Sequence, residues 1–431
     1  MFESVPLCAP ILSVVTVQQA AAGHGDPVAH VVLFLAAILI GAKVGGDLAV
    51  RCGQPAVLGE LLFGVALGNL PLLGITMFDS IRTDSSIDLL ARIGVLILLF
   101  EVGLESTVRQ MLEVGLSSLF VAILGVVAPF ALGWLVGTWL LPQTSTYVHA
   151  FLGATLCATS VGITARVLKD LNRSQSAEAR VILGAAVIDD VLGLVILAVV
   201  AGMIRAADAG ASLSVGSVGM TVLKAALFIF GSLAIGLVIS PRLFNLASRL
   251  RAHGVLLATA LSLCFFLSWL ANAIELAPIV GAFAAGLILE DAHYREFTKR
   301  GERDLHELVQ PIASVLVPVF FVLMGIRTDL RSFLQPGLLT LATALTVTAI
   351  FSKQLCSLGV VDRGLDRLTV GVGMIPRGEV GLIFANIGLE LTLAGQRILP
   401  DSTFSAIVIM VIVTTLATPP ALKWSLGRAR R

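Results

Sequence analysis

Two adjacent aspartates, Asp189 and Asp190, interrupt a run of roughly 27 residues that is otherwise almost wholly apolar; charge in such a setting is costly and marks a functional candidate. Successive residues of a helix point about 100° apart. The two carboxylates therefore cannot serve one small face equally: one can face a cavity while the other reaches a neighbouring helix. Two close carboxylates in a poor dielectric resist being ionised together. The pair can hold a proton or a hard cation, one excluding the other. The plainer alternative is a structural salt bridge, which suits Asp189 better than Asp190. A lone lysine, Lys353, lies in the apolar stretch Ala349–Leu355. It wants a carboxylate partner, unless its stem carries the ammonium out to the membrane surface.

A second constellation is Met374-Ile375-Pro376-Arg377-Gly378-Glu379, in the middle of another apolar run. Proline removes a backbone donor, so a regular helix through Pro376–Gly378 is not expected. A matching segment, Cys157–Arg166, carries Thr159, Ser160 and Gly162. These residues allow a break there, or ordinary back-bonding of hydroxyls to their own helix. Two broken helices crossing at mid-membrane would point dipole ends at one another. Arg377 and Glu379 could neutralise those ends, and Glu379 would be the partner whose loss leaves Arg377 buried alone.

The rest of the chain has to hold these groups inside a membrane. Of 431 residues, 57% are hydrophobic and 13% charged, with mean hydropathy +0.97, against about 25% charged in soluble domains. So much apolar surface cannot be hidden in a soluble fold and must face lipid. A soluble enzyme is excluded, and a net charge of +1 gives no electrostatic case for nucleic acid. With 6% aromatics and two tyrosines, an outer-membrane barrel with aromatic girdles is not indicated either. The five cysteines form no CxxC pair and read as buried small hydrophobes, not as metal or redox groups.

The expected fold is an all-α polytopic membrane protein with about thirteen transmembrane helices, in a single transporter domain over 1–431. The spans are 28–50, 55–74, 87–106, 115–141, 148–169, 178–204, 217–240, 254–274, 276–290, 307–326, 337–360, 367–391 and 403–424. Residues 1–22 are also apolar and end in Ala20, Ala21 and Ala22, which would suit a cleaved leader, although no basic residue precedes the run. With the N-terminus outside, twenty of the 29 Lys and Arg fall in inner segments and five in outer ones. That bias puts the C-terminus in the cytoplasm. Glu60 and Glu101 are intramembrane by the same map.

The halves resemble each other. Gly59, Gly64 and Gly103 match Gly281, Gly286 and Gly325, all at one offset of 222 residues, with Pro55 and Pro278 shortly before the first pair. The offset spans seven helices, an odd number, so the second unit sits upside down. The units are 28–204 and 254–424, with 217–240 as the connecting helix: two inverted six-helix repeats with two broken crossing helices. Inverted repeats with interrupted helices at the midplane characterise secondary transporters.

At this point the chain resembles the monovalent cation/proton antiporter superfamily, and within it the NapA-like bacterial sodium/proton antiporter branch. The resemblance is carried by Gln54–Gly64, Ile188-Asp189-Asp190, Pro318–Gly325, Lys353 and Met374–Leu382. It implies a homodimer in the bacterial inner membrane, in which a mobile core with two unwound helices moves against a dimerisation domain. It places the shared cation and proton site on Asp190, the lysine-paired aspartate on Asp189 with Lys353, the crossing charges on Arg377 and Glu379, and hydroxyl groups on Thr159 and Ser160. It implies no cofactor: sodium, or lithium, and protons are the cargo, in the service of pH homeostasis. Kef-type potassium/proton relatives usually carry Gln-Asp and a cytoplasmic nucleotide-binding domain. The Asp-Asp pair here, with no room for such a domain, favours sodium, with potassium/proton exchange as the alternative. Electroneutral relatives show Asn-Asp without the lysine, so Asp189 with Lys353 resembles the electrogenic type, two protons per sodium. Two other classes compete. An ion channel needs successive weak sites along a pore. An intramembrane aspartyl protease needs carboxylates on different helices, whereas these two are adjacent on one.

Overall fold

The computed structural model describes residues 27–105, 115–171, 173, 176–210, 215–250, 252–274, 276–289, 297, 303–331 and 337–428. The apolar segment 1–22 and its three alanines, and inner-loop residues such as Arg109 and Arg295, lie outside the described residues. The protein is mostly helical. Its helices are α1 Pro27–Arg51, α2 Ala56–Gly68, α3 Ser85–Glu105, α4 Leu116–Leu140, α5 Thr146–Cys157, α6 Val161–Asp170, α7 Ala177–Asp208, α8 Val215–Ala247, α9 Val255–Ala273, α10 Pro278–Ile288, α11 Leu305–Arg327, α12 Leu338–Leu355, α13 Arg367–Gly373, α14 Gly378–Glu390 and α15 Asp401–Arg428. A two-stranded antiparallel hairpin, β1 Thr392–Leu393 and β2 Gln396–Arg397, joins α14 to α15.

Among the described residues eight helices are long and apolar enough to cross a membrane, nine if the bent pair α13–α14 is one span. Shorter apolar helices, α2, α5 and α10 among them, stand between the long ones. At 1.5 Å per residue these cannot cross about 30 Å of hydrocarbon unaided. Several boundaries differ from the expected ones for local reasons. Helix α2 stops at Gly68, and Leu70–Leu73 continues as a 3-10 turn around Pro71. Helix α12 likewise passes into a 3-10 turn over Cys356–Gly359. The connecting helix extends well past 240, to Ala247, with Pro241 inside it.

The helices sort into two bundles. Bundle I contains α1–α3 and α9–α11; bundle II contains α4–α7 and α12–α15; α8 lies against α7 and α10. Without a hydrophobic drive between helices in lipid, close packing at small residues holds such bundles together. Bundle I is built this way. Gly64 on α2 leaves no room for a side chain against the backbone of Val322 on α11, and Gly325 on α11 sits against Leu61 and Val65. Gly103 on α3 and Gly286 on α10 meet in the same manner, through Phe283, Leu287 and Phe100. Gly59 packs on Gly45, Gly281 on Leu267, and Gly94 on Leu316. Bundle II has a different interior. Arg377 and Lys353 are among its largest fully buried side chains.

Gly286→Leu will push α10 off the α3 backbone, which cannot yield as a side-chain tip could. Its cost will exceed the ~1–3 kcal/mol typical of an overpacked core, read as a lowered melting temperature in detergent. Gly219→Ala on α8, where a Cβ meets nothing within 4 Å, will leave that temperature within about a degree of its starting value.

Candidate functional site

Span 367–391 is broken. Helix α13 ends at Gly373, Pro376 withholds a donor, and α14 begins at Gly378 with the two axes bent by 48°. Gly378 has φ +39°, and a Cβ there would meet Ser160, so this position needs glycine for its backbone and for its neighbour. The other break falls between Cys157 and Val161, where Ala158 turns to extended backbone. The two breaks face each other. Ser160 N donates to Pro376 O at 2.8 Å, and Thr164 Oγ1 to Gly373 O at 2.6 Å. The backbone groups freed by each break are satisfied partly by the other, as a membrane interior requires.

The charges are placed by the resulting dipole ends. Arg377 Nη1 donates to Ala158 O at 2.5 Å, at the carbonyl end of α5, and Nη2 to Ala349 O on α12 at 3.1 Å. Glu379 lies in the first turn of α14 and accepts from Ser160 Oγ, 2.9 and 2.8 Å from its two oxygens, where α6 begins. A cation at a helix C-terminus and an anion at N-termini are the favourable pairing. One expectation is corrected here. Arg377 spends its hydrogen bonds on two carbonyl oxygens, not on Glu379, because the carbonyl at the end of α5 and the Ala349 carbonyl within α12 lie against its guanidinium. Removing Glu379 would not by itself strip Arg377 of these partners.

Asp189 and Lys353 meet. Lys353 Nζ is 3.0 Å from Asp189 Oδ1 and 2.6 Å from Gly125 O, and both side chains are almost completely buried. Snorkelling is therefore not what this lysine does. Gly125 lies four residues before Pro129 inside α4. Proline has no N–H to return to that carbonyl, so an unclaimed acceptor is available to the ammonium. Glycine also matters sterically: a Cβ at 125 would lie 3.4 Å from both Asp189 Oδ1 and Lys353 Nζ. Neither Gly125 nor Pro129 stood out in the sequence. The signal was a proline one helical turn beyond a glycine inside an apolar run.

Asp190 points elsewhere, as adjacency on a helix demands. Its Oδ1 is buried without a hydrogen-bond partner, and so are Asp189 Oδ2 and Thr159 Oγ1. Buried acceptors of this kind are expensive unless a proton or cation satisfies them. The structure thus gathers Asp189, Asp190, Lys353, Arg377 and Glu379 with Thr159 and Ser160 into bundle II. Glu60 and Glu101 are on α2 and α3, in bundle I, and do not join this group.

Comparison with known proteins agrees with this architecture. The family described as "Sodium/hydrogen exchanger, transmembrane" matches residues 27–426. The chain is 38% identical over 430 residues to the high-affinity Na(+)/H(+) antiporter NhaS3 of Synechocystis sp., covering 92% of this chain and 89% of that one. It is 34% identical over 398 residues to the Na(+)/H(+)-K(+) antiporter GerN of Bacillus cereus, covering 91% and 95%. Among solved structures, the sodium proton antiporter MjNhaP1 from Methanocaldococcus jannaschii at pH 8 superposes with TM-score 0.67 at 17% identity, over 93% of this chain and 98% of that one. This polytopic membrane protein belongs to the sodium/hydrogen exchanger family, a family of transporters.

Proposed function

We propose that the protein exchanges sodium for protons across the membrane by alternating access, with Asp190 as the shared site. The observation that carries this reading is the division of labour between neighbours. Asp189 gives one oxygen to Lys353 at 3.0 Å and keeps the other buried without a partner, while Asp190 makes no ion pair among the described residues and also keeps a buried oxygen unsatisfied. A carboxylate in that state takes a proton or a sodium ion and cannot hold both. Thr159, whose buried hydroxyl adjoins Asp189, is the next donor. Ser160 contributes by holding Glu379, and through it the crossing, in place. The names of both relatives given above mention sodium and protons, and one of them also potassium; Asp-Asp with lysine favours sodium, and lithium as a smaller congener.

The finer architecture of this reading is thirteen membrane segments in two inverted units, 28–204 and 254–424, joined by 217–240. Its support lies in the glycine contacts. The contact of Gly325 with Leu61 and Val65 recurs as Gly103 with Phe283 and Leu287. Gly64 on Val322 recurs as Gly286 on Phe100, and Gly59 on Gly45 as Gly281 on Leu267. Every residue is displaced by 222 positions from its counterpart. Gly94 meets Leu316, its own counterpart at that offset, which is where a twofold axis in the membrane plane would pass. The charge bias of the loops supports an external N-terminus and a cytoplasmic C-terminus in a bacterial inner membrane. The homodimer, with bundle I at its centre, rests on the family resemblance.

The coupling follows from electrostatics. Sodium on Asp190 brings a positive charge beside the Lys353 ammonium and competes for the Asp189 carboxylate. Lys353 then releases a proton in addition to the one displaced from Asp190. Two protons per sodium move net charge, so each elementary charge contributes about 2.3 kcal/mol per 100 mV of membrane potential.

Asp190→Asn will abolish sodium-driven proton flux in proteoliposomes while the purified protein keeps its melting temperature. Substantial remaining flux would remove Asp190 from the site. Lys353→Gln will lower or eliminate the current that accompanies exchange, measured on solid-supported membranes, with part of the exchange retained. Wild-type exchange without any current would defeat the electrogenic assignment.

A further inference from the structure

At the end of the molecule where α15 begins, a cavity of about 900 Å³ opens between the bundles. Its wall carries five side chains whose polar atoms close on themselves. Arg92 Nε donates to Asp88 Oδ2 at 2.6 Å, and Arg92 Nη1 lies 2.6 Å from Glu390 Oε2. Asn386 Nδ2 donates to Glu390 Oε1 at 3.0 Å. Arg327 Nη1 donates to Asn386 Oδ1 at 3.1 Å, and Arg327 Nη2 returns to Asp88 Oδ1 at 2.5 Å. Both oxygens of each carboxylate are used, and the four formal charges cancel.

The ring is shared between the bundles. Asp88 and Arg92 are on α3 and Arg327 closes α11, all in bundle I; Asn386 and Glu390 are on α14, in bundle II. Two links cross the gap, Arg92–Glu390 and Arg327–Asn386. Asp88 accepts from both arginines and aims them across it. Helix α14 also carries Glu379 in its first turn, eleven residues before Glu390, or ~16 Å along the axis. The helix that enters the crossing at one end is therefore tied to bundle I at the other.

Two roles compete for such a ring. As a waypoint for an entering cation it is poorly made, since its carboxylate oxygens are already engaged. The cavity wall adds three further arginines against two aspartates, an excess that repels a cation. As a latch it is well made. The four charged side chains are 19% to 47% exposed and Asn386 is buried at 6%, so water can take over the Arg92–Glu390 link and the Arg327 end of the other as they part. Closed, the network holds five groups in one geometry.

We propose that the Asp88–Arg92–Glu390–Asn386–Arg327 ring is a latch between the bundles. It holds them in the arrangement seen here and opens at Arg92–Glu390 and Arg327–Asn386 whenever bundle II shifts. This rests on the exchange reading, in which bundle II moves. The test is a distance measurement between spin labels at Ser86→Cys on α3 and Gln396→Cys on β2, in the full chain with Cys8 and Cys52 replaced by serine. Arg92→Gln and Glu390→Gln will each shift the ratio of bundle-to-bundle distances by about three-fold, the size expected of a part-exposed ion pair. The double variant will shift it no further, because one cut opens the ring. Asn386→Ala, which removes no charge, will move the ratio in the same direction and serves if an arginine variant fails to fold. Unchanged distances in all of these, or shifts in the two single variants that simply add, would overturn the latch. Exchange by Asp190→Asn judges the transport reading separately, so the two can fail independently.

Discussion

The structure depends on one constraint: a charge buried in a membrane protein must be given a partner. Lys353 is the clearest case. Its ammonium is held by Asp189 and by the carbonyl of Gly125. That carbonyl is available because Pro129 cannot claim it, and Gly125 leaves space for the pair. A helix defect in α4, a lysine on α12 and an aspartate on α7 thus become one unit. Once Asp189 is committed in this way, Asp190 is left as the acid without a cationic partner among the described residues. Its availability for cargo follows from how its neighbour is neutralised.

The crossing answers the same constraint for the backbone. Breaking two helices in a membrane frees amides and carbonyls that lipid cannot satisfy. Here the breaks satisfy each other through Ser160, Thr164, Pro376 and Gly373. Arg377 and Glu379 supply charges of the right sign at the remaining dipole ends. Bundle I, whose one buried charged side chain among the described residues is Glu60, is packed instead through glycines against bare backbone. A polar, defect-rich bundle against a close-packed one gives two bodies with different internal logic, joined at one end by part-exposed polar links. Such links can be exchanged for water; a close-packed glycine interface cannot part at comparable cost.

Sequence alone determined what composition and local chemistry control. The membrane class followed from the excess of apolar residues, and the break at 374–377 from proline, which acts on its own helix. The acid pair and the lysine were legible because charge is rare in apolar runs. The glycines at one offset were legible because close packing in lipid restricts residue choice. Pairing was decided by tertiary structure, since it depends on groups far apart in the chain. Nothing near Arg377 announces that Ala158 O and Ala349 O would take its hydrogen bonds in place of Glu379. Gly125 and Pro129 looked like ordinary residues of an apolar helix until Lys353, 228 positions away, arrived against them. The ring at the cavity draws on three helices, and nothing in the sequence links its members. Which acid met the lysine, and which cation met which carbonyl, were settled by geometry: hydrogen bonds act over about 3 Å, and only the fold brings those atoms that close.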